Sequence, residues 1–180
     1  MHVRKATPSD TGLVHQILAE AGAALAAAGF HNWSPPRSMD DVARDIEERE
    51  VFIFSADSET IGTVSVGWIP TVPYDPDVTW GNAGTALYVN RLAVRPTYQG
   101  FGFGRRITAW VEDHARDAGA DAVRLDALAD NTHLLRFYTS AGYAVVGKRE
   151  HSGWQFTVMQ KMLVRDTADA GSPDGRTRLD

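Results

Sequence analysis

A chain of 180 residues, 43% apolar and without cysteine, is sized for one domain with a substantial core, and it excludes disulfides, thiolate-bound zinc and a thiol nucleophile. A net charge of −5 at pH 7, with no basic run, argues against general affinity for nucleic acid. No apolar run reaches bilayer-spanning length and the start, Met1-His2-Val3-Arg4-Lys5, has no apolar leader core, so the expectation is a cytoplasmic protein that does not engage membranes.

Val3 to Ala6 reads as a short first strand, and Thr7-Pro8-Ser9-Asp10 as a turn rich in helix-capping residues. Leu13, Val14, Ile17, Leu18, Ala21, Leu25 and Ala28 recur at helical spacing until Gly29 stops the pattern. Phe30 to Pro36 cannot continue a helix, and a second helix is expected from Met39 to about Glu48, capped near Ser38. Val51 to Ser55 and Thr60 to Ile69 read as paired strands around the Asp57-Ser58-Glu59 turn. Pro70 to Gly84 is a long polar loop.

Ala86 to Val94 is the next strand, followed by a helix from about Gly104 to Ala118 that Gly119 ends. Ala122 to Leu128 is a strand, Thr132 to Ser140 a short helix ending before Gly142, and Tyr143 to Gly147 with Trp154 to Leu163 a closing pair of strands. From Arg165 the chain is polar and reads as a disordered tail, which leaves residues 1–164 as the single domain. The order β-α-α-β-β-β-α-β-α-β-β implies a mixed α/β sheet with helices on its faces.

The densest signal is Gln99-Gly100-Phe101-Gly102-Phe103-Gly104-Arg105-Arg106, between a strand and a helix. Glycines at alternate positions leave backbone amides bare where the helix dipole is positive, which favours an anion such as a phosphate. A tight turn alone needs fewer glycines. Arg105 fits phosphate contact or an ordinary exposed helix position equally well, and Arg106 fits the exposed position better. A P-loop needs Lys followed by Ser or Thr after its glycines, and this chain has two arginines there. The dinucleotide fingerprint needs a glycine three positions after its second, and Arg105 or Ile107 stands there instead.

Gln99-x-x-Gly102-x-Gly104, preceded by Leu92-Ala93-Val94-Arg95-Pro96, resembles the acyl-coenzyme A motif of the GNAT N-acetyltransferases. Asn131, then Phe137-Tyr138, then Gly142-Tyr143, is similar to a second segment of that family. The resemblance implies a mostly antiparallel sheet of six or seven strands, splayed between the fourth and fifth, with about four helices. It implies acetyl-CoA as co-substrate and no metal. The diphosphate would lie on the amides of Gln99, Gly100, Phe101, Gly102, Phe103, Gly104 and Arg105, and the pantetheine arm along Leu92, Ala93 and Val94.

Acyl transfer from a thioester to an amine needs a deprotonated amine, against an ammonium pKa of about 10.4, and a proton for the departing thiolate. The resemblance makes Tyr138 the proton donor; packing beside Phe137 and Leu134 is the other reading of that residue. Asn131 caps the helix carrying Tyr138, contacts the cofactor arm, or does both. The general base stays open among Asp126, His31, His151 and a water relay from Tyr88 or Asn90; the strand before the glycines carries no carboxylate. Asp126 is equally readable as a partner of Arg124.

Trp33, in the loop joining the first two helices, is placed by the resemblance at the acceptor site, with Tyr88 and Asn90. Trp68, Tyr74 and Trp80 are companions, Trp68 reading better as packing. Asp75 and Asp77 would attract a cationic amine. The function expected is acetyl transfer to a primary amine, of a small molecule or of a peptide N-terminus or lysine. A non-catalytic acyl-CoA sensor and a longer-chain acyltransferase are the competing readings. A homodimer fits the family's habits.

Overall fold

The computed structural model describes residues 1–74, 78–81 and 84–164. Asp75, Asp77 and the segment from Arg165 onward lie outside the described residues.

The elements in chain order are β1 (His2–Lys5), α1 (Thr11–Ala27), α2 (Met39–Glu48), β2 (Glu50–Ala56), β3 (Glu59–Gly67), β4 (Ala86–Val94), α3 (Phe103–Asp117), β5 (Ala122–Leu128), α4 (Thr132–Ser140), β6 (Ala144–His151) and β7 (Trp154–Met162). Seven strands form one sheet in the order β1-β2-β3-β4-β5-β7-β6. Every neighbouring pair is antiparallel except β4 and β5.

The two-residue period of a strand divides the core into two layers. Val51 and Ile53 of β2 face one side and pack with Val14, Ile17, Leu18 and Ala21 of α1 and Val42 and Ile46 of α2. Phe52 and Phe54 face the other side and pack with Ile107, Val111 and Ala115 of α3 and with Tyr138 and Tyr143. The Ser38 side chain caps α2 by accepting from the Asp41 amide at 3.1 Å, which satisfies one of the unpaired donors of its first turn.

Two departures from the sequence reading have local causes. β6 runs on to His151 because Ser152 and Gly153, both at positive φ, make a two-residue hairpin turn to Trp154. Its second half escapes a hydrophobicity pattern because Arg149, not an apolar residue, points inward. The third strand stops at Gly67, short of the expected Ile69, and Trp68 just beyond it is 47% exposed, outside the core.

Two irregularities shape β4. Its pairing with β5 covers only Ala86–Ala122, Leu87–Val123 and Tyr88–Arg124, so the strands part beyond Tyr88. Against β3, Ser65 pairs with Asn90 and Thr63 with Ala93, which puts one extra residue on β4. Arg91, at φ +51, sits in this bulge and is ion-paired with Asp45 of α2. The far end of β4 is fastened to β3 at Gly62, where a Cβ would lie 2.4 Å from the Ala93 carbonyl oxygen. It is fastened to α1 by a two-pronged ion pair in which Arg95 donates to Glu20 at 2.8 and 2.7 Å.

Candidate active site

The parting of β4 from β5 opens a cleft beyond Tyr88 that is edged by the backbone of β4. Val89 to Val94 stays paired with β3 but has no ladder partner on its β5 side, and this stretch contains Leu92, Ala93 and Val94. Strand groups left without a ladder partner need another partner, and an extended ligand bearing amides supplies one. The Val94 carbonyl already accepts from the Gln99 side chain at 3.0 Å, which ties the following loop back onto the strand.

That loop leads straight into α3. Gln99 donates its amide to the Pro96 carbonyl and Arg106 to that of Gly102. The amides between them, Gly100 to Arg105, have no backbone acceptor among the described residues, as the first turn of a helix dictates. Gly100 and Gly102 are at φ +84 and +79, a region other residues rarely adopt. Gly104 differs: it is helical, and a methyl there would meet only Phe137, at 3.6 Å. Arg105 donates to the Ser140 hydroxyl at 3.0 Å, linking α3 to α4, and Arg106 lies over the Phe103 ring. Phe101 is 74% exposed at the tip.

Asn131 is buried and its side chain accepts from the Leu134 amide at 3.0 Å, so it caps α4. α4 carries Tyr138, 6% exposed, against Phe137 and Tyr143. Burial, and secondarily the Asp126 carboxylate, push the Tyr138 phenol well above its usual range, so it stays protonated at neutral pH.

Beyond the end of the β4–β5 ladder lies a narrow polar crevice that includes Arg49, Tyr74, Tyr88, Asn90, Asp126 and Arg149 in its lining. Asp126 is not the partner of Arg124. It accepts from Arg149 at 2.9 Å and from the Tyr74 hydroxyl at 3.3 Å. Arg124 donates instead to the Tyr88 hydroxyl and to Gln160, each at 2.9 Å, and its guanidinium lies 4.0 Å from the Trp80 ring centroid. Tyr74 stacks on Tyr88 at 6.0 Å and meets Trp80 edge-on at 5.1 Å, closing the crevice with an aromatic wall.

The structure therefore brings Tyr88, Asn90, Tyr74 and Asp126 together, with Tyr138 near enough to Asp126 to sense its charge. It sets Trp33 apart: that residue packs on α1 at Gly22, within the second core layer. His31 and His151 are exposed and do not line the crevice. Arg49 and Arg149 escaped the sequence reading. No short-range pattern marks either, because their surroundings are assembled from β3, β4, β5 and the 70–74 segment.

Among the described residues no cluster of three or more His, Asp or Glu is arranged to hold a metal, and no helix is long and apolar enough to cross a membrane.

Comparison with known proteins places these features in a family. The model of the acetyltransferase (GNAT) family matches residues 20–143. The chain is 31% identical over 144 residues to the uncharacterized N-acetyltransferase YesJ of Bacillus subtilis (strain 168), covering 77% of this chain and 78% of that protein. A GNAT-family acetyltransferase structure from Listeria monocytogenes superposes with a TM-score of 0.73 at 23% identity, covering 90% of this chain and 94% of the other. The structure of yncA from Salmonella typhimurium, solved with its cofactor acetyl-CoA, superposes with a TM-score of 0.64 at 20% identity, covering 97% and 98%.

Proposed function

Because the chain belongs to the acetyltransferase (GNAT) family and is therefore an acyltransferase, we propose that it transfers the acetyl group of acetyl-CoA to the primary amine of a small molecule. Both substrates are bound together, and the amine attacks the thioester directly. The observation that carries this reading is the parting of β4 from β5 just before a glycine loop whose amides, Gly100 to Arg105, have no backbone acceptor among the described residues.

Acetyl-CoA supplies an activated carbonyl and a diphosphate. The amides from Gly100 to Arg105, at the positive end of α3, hold the diphosphate, while the Gln99 amide, expected among them, is taken up by the Pro96 carbonyl. Leu92, Ala93 and Val94 offer backbone groups to the pantetheine arm, and Asn131 holds α4 in place beside it. As the amine nitrogen bonds to the carbonyl carbon and the C–S bond breaks, the Tyr138 hydroxyl gives its proton to the leaving sulfur, and the proton that the nitrogen sheds on becoming an amide passes through water to restore the phenol. The ammonium proton leaves beforehand through water held by Tyr88 and Asn90, with Asp126 alongside. The chain has no cysteine for an acyl-enzyme, which agrees with direct attack.

Small acceptors are favoured because the crevice next to the β4–β5 parting is narrow and walled by Tyr74 and Tyr88, against which Trp80 packs. The test is release of free coenzyme A thiol from acetyl-CoA with a panel of primary amines, alongside a lysine-bearing peptide. Turnover of small amines with little on the peptide is the expected result. Turnover confined to the peptide contradicts the acceptor class, and acetyl-CoA binding without turnover of any acceptor contradicts the activity.

A further inference from the structure

Hydrogen-bond donors outnumber free acceptors in the crevice. Arg49 Nε and Nη2, Asn90 Nδ2 and Arg149 Nη1 are all buried and have no partner among the described residues. Buried donors are ordinarily paired, and charged ones almost always. The acceptors nearby are already engaged: Asp126 receives Tyr74 on one oxygen and Arg149 on the other, and the Tyr88 oxygen receives Arg124. An occupant must therefore bring acceptor atoms of its own.

The two guanidiniums sharpen this requirement. Arg149 is 8% exposed and spends only part of its fork on Asp126. Arg49 forms no ion pair among the described residues, its one partner being the Ile69 carbonyl at 2.9 Å. Its guanidinium lies flat against Gly67, where a Cβ would sit 2.8 Å from Nη2, so only glycine leaves it this position. Gly67 pairs with Tyr88, which puts Arg49 at the mouth of the parted strands. Among the described residues the charged lining sums to +1, from Arg49, Arg149 and Asp126, which matches a monoanion.

Resting on the acetyl-transfer reading above, we propose that Arg49, Asn90 and Arg149 form an anion subsite in the acceptor crevice, and that the natural acceptor is an amine bearing a carboxylate. Planar forks facing two oxygens suit a carboxylate. The subsite fixes the acceptor by its acid group so that its amine meets the thioester. The chain's overall negative charge would favour cationic acceptors, and the crevice reverses that preference locally.

The test compares alanine, β-alanine and lysine with their carboxamides, and with O-phosphoethanolamine, in the thiol-release assay. The carboxylates are expected to exceed their amides in kcat/KM by about 10- to 100-fold, the range of a hydrogen bond to a charged group. Arg49→Gln should raise KM for the carboxylate substrates and leave that for the amides within about threefold. Gly67→Ala, which leaves Arg49 in the chain but displaces it, should reproduce that split.

Equal turnover of acids and amides overturns the proposal and leaves the orphaned donors to water, while acetyl transfer itself stands. Preference for O-phosphoethanolamine overturns the carboxylate assignment. Loss of all turnover in the unmodified enzyme, with acetyl-CoA still bound, is a failure of the underlying activity instead.

Discussion

Gly104→Ala separates the folding role of the glycine loop from its binding role. Gly104 has helical backbone geometry in the first turn of α3, and the added methyl would touch only Phe137, at the ordinary contact distance of 3.6 Å. Alanine in a helix is favoured over glycine by about 0.5–1 kcal/mol. For a domain of this size that is a gain of roughly 2–4 °C in Tm. The same methyl stands beside the amides proposed to hold the diphosphate. Weakening one or two of those contacts by about 1 kcal/mol each corresponds to a roughly 5- to 30-fold rise in Kd for acetyl-CoA. Calorimetric titration with acetyl-CoA and a thermal melt, on the same preparation, read both effects. Gly102→Ala should instead lose stability, because φ +79 strains any side chain. A stabilised Gly104→Ala protein with unchanged acetyl-CoA affinity would refute the reasoning, since no ligand then approaches this turn.

Two further outcomes follow from the buried phenols. Tyr138→Phe should lower kcat by about 100- to 10,000-fold, the usual value of a positioned proton donor, with KM for acetyl-CoA nearly constant; unchanged kcat in a thiol-release assay removes Tyr138 from the chemistry. Tyr74, Tyr138 and Tyr143 all have their pKa raised, chiefly by burial. Above pH 10 the unfolded chain therefore loses protons that the native one keeps, and stability falls as pH rises. The loss is about 1.4 kcal/mol per pH unit for each tyrosine, and none is expected below the ordinary phenol pKa. Urea unfolding at pH 8.5 and 11 checks this, with Tyr143→Phe reducing the slope by about a third. A flat profile across that range contradicts the burial argument.

The loop and strand end proposed to take the cofactor were legible as structure in the sequence because their determinants are local. Gly100 and Gly102 advertise positive φ, Asn131 stands one residue before the helix it caps, and Leu92 to Val94 ends an unmistakable strand. The order of helices and strands likewise announced a mixed sheet with helices on its faces. The acceptor side was not legible, because its residues meet only through the sheet. Arg49 follows a helix, Arg149 lies in a strand half that looks solvated, and Asp126 pairs across 23 positions with Arg149 rather than with its near neighbour Arg124. The β4 bulge at Arg91 left no signature either, since a single extra residue leaves the apolar pattern of the strand almost intact. Trp33 carried a strong aromatic signal, but its surroundings in α1 are those of a packing residue.

A crystal structure with coenzyme A bound tests the central claim most directly. The account predicts the diphosphate on the amides between Gly100 and Arg105, the pantetheine arm along Leu92 to Val94 where β4 leaves β5, and the sulfur within hydrogen-bonding reach of the Tyr138 hydroxyl. A diphosphate seated away from the start of α3, or a sulfur remote from Tyr138, would contradict it.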